Sequence, residues 1–203
     1  FKCLITFYPQ EGSNMNVKGT VYTTTKATVT EAFGEQRWNT FMSKLTAKDR
    51  YFKDNIIMSV TLVPLDKFII FFDTLIDECF HGDKNASYVM FGMVGAKYAL
   101  SPGGPYHAYL LTKDVKQFVE TVLPKLWSTY YDGGSVTAKL ENNVALVRVD
   151  GFPVRHIYFE KLLMGYFKQS IKVFGKKSVA TMVKSLAAGD DHLCFRYELK
   201  DSG

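Results

Sequence analysis

The sequence is short of the residues that most chemistries need. Its three cysteines, Cys3, Cys79 and Cys194, are an odd number set far apart, and none sits in a Cys-x-x-Cys pair or at ligand spacing from a histidine. That pattern argues against a disulfide framework or a structural zinc site, and a reducing cytoplasm is the expected setting. Long apolar runs are missing as well. The longest, near 68–72 and 144–149, fall far below the ~20 residues of a membrane-spanning helix. No basic-then-apolar leader opens the chain, so neither membrane nor export is expected. There is no dense basic run: 25 lysines and arginines are interleaved with 20 acids for a net charge of +5. Nucleic acid is therefore not an expected partner.

What is present is 47% apolar and 15% aromatic residues in a chain of 203, enough for one domain with a sizeable core. The clearest pattern lies near the end. Leu193, Phe195, Tyr197 and Leu199 alternate with Cys194, Arg196, Glu198 and Lys200, the period of a half-buried strand. Upstream, 136–140 and 144–149 flank the polar link Glu141-Asn142-Asn143 as a hairpin. A helix is predicted over 156–174, with Phe159, Leu162, Leu163, Tyr166, Phe167, Ile171 and Phe174 on one face and Gly175 at its end. Residues 177–186 pair with the last strand across Gly189-Asp190-Asp191. This order, β-β-α-β-β, predicts a four-stranded antiparallel sheet with one face to be covered.

The cover is expected from amphipathic helices within 24–131. Residues 1–14 read as the tail of a preceding domain or a linker, and 15–203 as the domain itself. Residues 15–22 read as a short strand followed by a threonine-rich link. Helical spacing runs over 26–45 with a break at Gly34, a short helix lies within 46–55, and Pro64-Leu65-Asp66 opens an apolar helix ending near Phe80. A helix over 85–100 carries Val89, Met90, Met93, Val94 and Tyr98 on one side and Gly92, Gly95, Ala96 and Ala99 on the other. Those small residues permit close approach of a helix or a ligand. Gly103 and Gly104 lie in a turn that lacks phosphate-loop spacing. A long helix follows over 112–131, capped by Thr112 and kinked at Pro124.

No catalytic pattern emerges. Asp190, Asp191 and His192 suit the polar tip of a hairpin. Asp73 and Asp77, with Glu78 beside them, suit a solvated helix face. Ser59, Ser101 and Ser170 lack a nucleophile-elbow context. His81, His107, His156 and His192 are scattered over helix ends and turns, where structural roles are the rule.

The opening Met15-Asn16-Val17-Lys18-Gly19-Thr20, the run of helices, the strand pair–helix–strand pair order and the closing Gly189-Asp190-Asp191-His192-Leu193-Cys194-Phe195-Arg196-Tyr197-Glu198-Leu199 together resemble the haem nitric-oxide/oxygen binding (H-NOX) domain. The closing segment is also similar to the four-vinyl-reductase domain and to a family of uncharacterised bacterial proteins, best represented in myxobacteria, that ends in a similar Gly-Asp-x-x-Cys segment. The resemblance implies an α+β fold, an N-terminal helical layer packed on a C-terminal four-stranded antiparallel sheet. H-NOX domains bind haem through a histidine on the helix before the sheet and hold its propionates with Tyr-x-Ser-x-Arg. Here 112–131 contains no histidine, no tyrosine begins that motif, and Tyr166 to Ser170 places its serine too late.

The expectation is a haemless, non-catalytic cytosolic regulatory module with no cofactor or metal, serving bacterial signalling through a small apolar ligand, a protein partner or preceding domain, or both. Met90, Met93, Tyr98, Phe118, Val122, Trp127, Phe152, Met164 and Phe167 are the expected lining of an apolar ligand pocket. The plain alternative is that they fill the space with one another. Two other readings stand beside this one: a haem gas sensor with atypical ligation, for which His107 is the candidate ligand, and a pure interaction or oligomerisation domain, in which a homodimer would be at home. Within the first reading, the helix carrying Pro124 is the expected moving part.

Overall fold

The computed structural model describes residues 15–80, 83–111 and 114–201. The expected strand and linker over 1–14, Cys3, His81 and the Thr112 cap lie outside them. Among the described residues no helix is long and apolar enough to cross a membrane.

Strand β1 (Asn16–Lys18) pairs antiparallel with β2 (Leu62–Pro64), Val17 opposite Val63. The expected strand over 15–22 is cut short, because helix α1 (Thr20–Phe33) starts inside it and absorbs the threonine-rich link. Threonine is a weak helix former, but here Thr23 and Thr28 donate back to the carbonyls of Thr20 and Thr24 at 3.1 and 3.0 Å. Gly34, at φ +83°, breaks the helix from α2 (Glu35–Lys48), a turn that favours glycine. A short α3 (Tyr51–Asp54) follows, then α4 (Leu65–Cys79) and α5 (Lys84–Leu100).

Phe71, fully buried on α4, is the hub of the first half. Its ring meets those of Tyr22, Trp38, Phe41, Phe52, Phe68 and Phe72, with centroids 5.3 to 6.4 Å away. The acidic residues of α4 are not a uniformly solvated face. Glu78 is buried, bonded to Lys44 and to Arg37 at 2.9 Å, and those two cations of α2, Lys44 foremost, hold its carboxyl below the usual range. Asp73 accepts from the Tyr88 hydroxyl of α5 and lies 3.3 Å from His156 Nε2. Burial pushes the Asp73 carboxyl up, but these two bonds outweigh it and leave it lowered. Asp77 is exposed, paired with Lys84 at 2.6 Å, and Asp66 in the first turn is exposed as well.

The second half begins with a 3-10 turn (His107–Leu111) and a rod built of α6 (Val115–Gln117), a π-helical turn (Phe118–Val122) and α7 (Leu123–Tyr130). Asp114 caps it, accepting from Lys116 N at 2.8 Å. The kink expected at Pro124 takes the form of that π-helical turn. Proline has no N–H to give, and the wider turn before it relieves its ring of the clash with the carbonyl one turn back. Strands β3 (Ser135–Glu141) and β4 (Val144–Asp150) join through Asn142 and Asn143, both at positive φ as such a two-residue turn requires. Helix α8 (Ile157–Lys172), β5 (Lys176–Lys184) and β6 (Leu193–Asp201) complete a four-stranded antiparallel sheet of order β3-β4-β6-β5. Lys116 and Glu120 of the rod grip the margin of that sheet: Lys116 Nζ donates to the Leu140 carbonyl at 3.2 Å, and Glu120 accepts from the Leu140 N–H at 3.0 Å.

Ala145, Val147, Val149, Leu193, Phe195, Tyr197 and Leu199 are buried on one face of the sheet, as their alternation predicts. The cover comes from the rod, which belongs to the expected upstream helices, and from α8, against which α5 packs closely. Helix α8 is capped by His156, whose Nδ1 accepts the Phe159 N–H at 3.1 Å; the ring proton therefore sits on Nε2, facing Asp73.

Glu160 of α8 is fully buried and ties down the β5–β6 link, accepting from Ser185 Oγ at 2.6 Å and Ala187 N at 2.9 Å. Burial raises its pKa, and those two bonds only partly offset the rise. The folded state therefore holds this proton more tightly than the unfolded chain does. Its stabilising share is complete below the ordinary glutamate range and is lost as pH climbs through the raised value. Glu160→Gln is expected to flatten that part of the stability profile, read from urea midpoints across pH. An unchanged slope would refute the assignment.

Candidate ligand cavity

A cavity of about 80 Å³ lies where α1, α4, α5, α7 and α8 meet. Helical spacing supplies its walls. Val21, Thr24 and Thr25 come from α1, Phe91, Gly92 and Gly95 from α5, Leu126, Trp127 and Tyr130 from α7, and Phe159, Leu162, Leu163, Tyr166 and Phe167 from α8; Val17, Phe72 and Tyr131 close it. Trp127 is fixed by its Nε1–H, which donates to the Gly133 carbonyl at 2.9 Å, and by stacking on Tyr131 at 4.1 Å. Tyr131 is held in turn by a backbone bridge to Val17. The Tyr166 hydroxyl donates to the Tyr130 hydroxyl at 2.9 Å, and the Tyr106 ring backs Tyr130 at 5.0 Å. Burial raises the pKa of Tyr130, Tyr131 and Tyr166, so all three remain protonated phenols.

The nine residues expected to share one pocket are dispersed. Trp127 and Phe167 line the cavity. Phe152 stands behind its wall, 5.9 Å from Trp127 and 5.8 Å from Phe159. Met90, Met93 and Met164 line an open groove on the outer side of α5 and α8 instead, and Tyr98 is exposed. Phe118 packs on Phe174 at 4.5 Å, and Val122 is half-buried in the π-helical turn. The reason is the orientation of α5: its glycine side faces inward. A Cβ on Gly92 would lie 2.0 Å from the Leu162 carbonyl oxygen, and one on Gly165 of α8 2.1 Å from that of Val89, so the helices touch backbone to backbone. Their methionines are turned outward by that contact. Sequence reasoning missed Thr24 and Thr25, taken for a link, and Tyr130, Tyr131 and Tyr166, whose hydroxyls are invisible to a hydrophobic stripe.

No protein-family model matches the chain, and no curated protein matches it. Solved structures do. The H-NOX domain from Shewanella oneidensis in its Fe(II)CO state matches with a TM-score of 0.66 at 17% identity, over 91% of this chain and 99% of that one. An Fe(II) unliganded H-NOX protein variant from K. algicida gives 0.65 at 9% identity, over 91% and 97%. The fold is H-NOX-like. A porphyrin does not fit this version of it. Pockets for drug-sized ligands run to roughly 300–1,000 Å³, several times the space here. The cavity wall holds no histidine, cysteine or other ionisable ligand apart from tyrosine, and no lysine or arginine to meet a propionate. His107 is exposed and engaged with the Leu100 carbonyl at 3.1 Å.

Proposed function

We propose that this chain is a haem-free, non-catalytic regulatory domain of bacterial cytoplasmic signalling, in which a small molecule held in the cavity biases how the helices pack and a protein partner or neighbouring domain reads the result. The observation that carries this reading is the cavity itself, about 80 Å³ in an H-NOX-like fold and walled by the same rod that grips the sheet margin. The closing segment Gly189-Asp190-Asp191-His192-Leu193-Cys194, one residue longer between its aspartate and cysteine than the relatives' Gly-Asp-x-x-Cys, supports kinship with the haemless bacterial relatives and the four-vinyl-reductase domain. Occupancy acts only through a difference in affinity between two packings, and the π-helical turn before Pro124 is where the rod departs from regular α-helical bonding. Neither nucleic acid nor membrane is part of this reading.

The test has two parts. Purified full chain mixed with haemin is expected to develop no Soret band beyond that of free haemin, and xenon is expected to enter the cavity, seen in xenon-pressurised crystals or by 129Xe NMR. A sharp Soret band, or no xenon uptake, would count against it. A pure interaction module is favoured by one feature, the apolar loop whose Ile56 and Val60 are 87% and 81% exposed, with Met58 and Leu62 beside them. A stable dimer in sedimentation, with xenon excluded, is the outcome that reading requires.

A further inference from the structure

Resting on the cavity reading above, the chemistry of the wall narrows the ligand. No charged side chain lines the cavity, so a charged molecule would be buried without compensation. A benzene-binding cavity measures about 150 Å³, and a water molecule takes about 30 Å³ in the liquid. Space of about 80 Å³ therefore suits a molecule of about two to four non-hydrogen atoms.

The polar groups then decide. Thr25 is 5% and Tyr131 9% exposed, both line the cavity, and neither hydroxyl has a hydrogen-bond partner among the described residues. Tyr166 donates its hydroxyl proton to the Tyr130 oxygen across 2.9 Å, which leaves the Tyr130 hydroxyl proton without an acceptor among the same residues. Each phenol or alcohol carries one donor proton and can also accept. Leaving several such groups unpaired inside an apolar wall is costly, and a fold that keeps them there gains when something arrives to pair them. A noble gas or an alkane has nothing to offer. We propose that the cavity selects a small neutral molecule with one hydrogen-bonding end, of the short-chain alcohol or carbonyl class, whose polar atom meets the hydroxyls of Thr25, Tyr131 and the Tyr130–Tyr166 pair while its apolar body lies against Leu126 and Leu163.

The experiment titrates the full chain with xenon, n-butane and 1-propanol, followed by NMR shifts of the cavity residues, in the native sequence and in Tyr131→Phe, Tyr166→Phe and Thr25→Val. These replacements keep shape and remove one hydroxyl each, and unchanged xenon binding confirms that a variant is folded. The expected result is saturable 1-propanol binding that weakens by about fivefold per hydroxyl removed, with xenon and n-butane unaffected. If 1-propanol binding ignores the substitutions, or ordered water that 1-propanol does not displace bridges the hydroxyls, the inference falls while the cavity reading stands. If none of the three probes enters, both fall.

Discussion

Alanine at Gly92 is expected to lower the stability of the fold by about 3 kcal/mol, the upper end of what overpacking usually costs. The added Cβ would lie 2.0 Å from the Leu162 carbonyl oxygen and 2.9 Å from the Tyr166 nitrogen. Both are backbone atoms in a helix pinned by the sheet on its other side, so neither can rotate out of the way. Relief requires α5 and α8 to separate, and that separation would open the cavity, whose wall includes Gly92, Leu162 and Tyr166. Urea unfolding with an unchanged slope should report the loss as a lower midpoint. Gly95, one turn along the same helix, is the control: a Cβ there meets nothing within 4 Å. Gly95→Ala should be neutral or stabilising by up to about 1 kcal/mol, since alanine is the better helix former. Equal destabilisation by the two would show that glycine is needed for some reason other than contact.

Phe71→Ala is expected to cost about 3–5 kcal/mol, the range for emptying a buried phenylalanine site. Six rings surround this one, so no single neighbour can swing in to fill the void. The damage should reach the cavity through Phe72, which touches Phe71 at 5.3 Å and itself forms part of the wall. Ile56→Ser, at a position 87% exposed, should by contrast stay within about 0.5 kcal/mol. A cost below 1 kcal/mol for Phe71→Ala, measured by denaturant unfolding, would mean that the aromatic cluster is not the centre of this half.

Much of this architecture was legible in the order of residues. The alternation at 193–199 named the buried face of the sheet, Asn142-Asn143 named a hairpin, and Gly34 named the α1–α2 break. Each of these signals is local: a backbone angle or a two-residue period settles it. The start of α1 was hidden because threonine favours strands until its hydroxyl finds a carbonyl one turn back, which only the folded helix supplies. Strand β2 was hidden because three residues carry no period. The cavity was the least legible feature. On α5 one side is apolar and the other small, and periodicity alone does not say which is inside. The backbone contact at Gly92 and Gly165 decides that, and it depends on two helices more than 70 residues apart. The roles of Asp73 and Glu78 were missed for the same reason, since their partners Tyr88, His156, Arg37 and Lys44 all lie on other elements.

At the margin of the sheet, Lys116 and Glu120 offer Leu140 one donor and one acceptor, the pair of groups that a neighbouring peptide would have offered. Two side chains thus stand in for a missing fifth strand. The outward peptide groups of Leu140 are therefore already satisfied on that flank, while β5 forms the opposite rim of the sheet among the described residues. It also means that any axial roll of the helix bearing them would tug first on the outermost strand, on the flank opposite that rim.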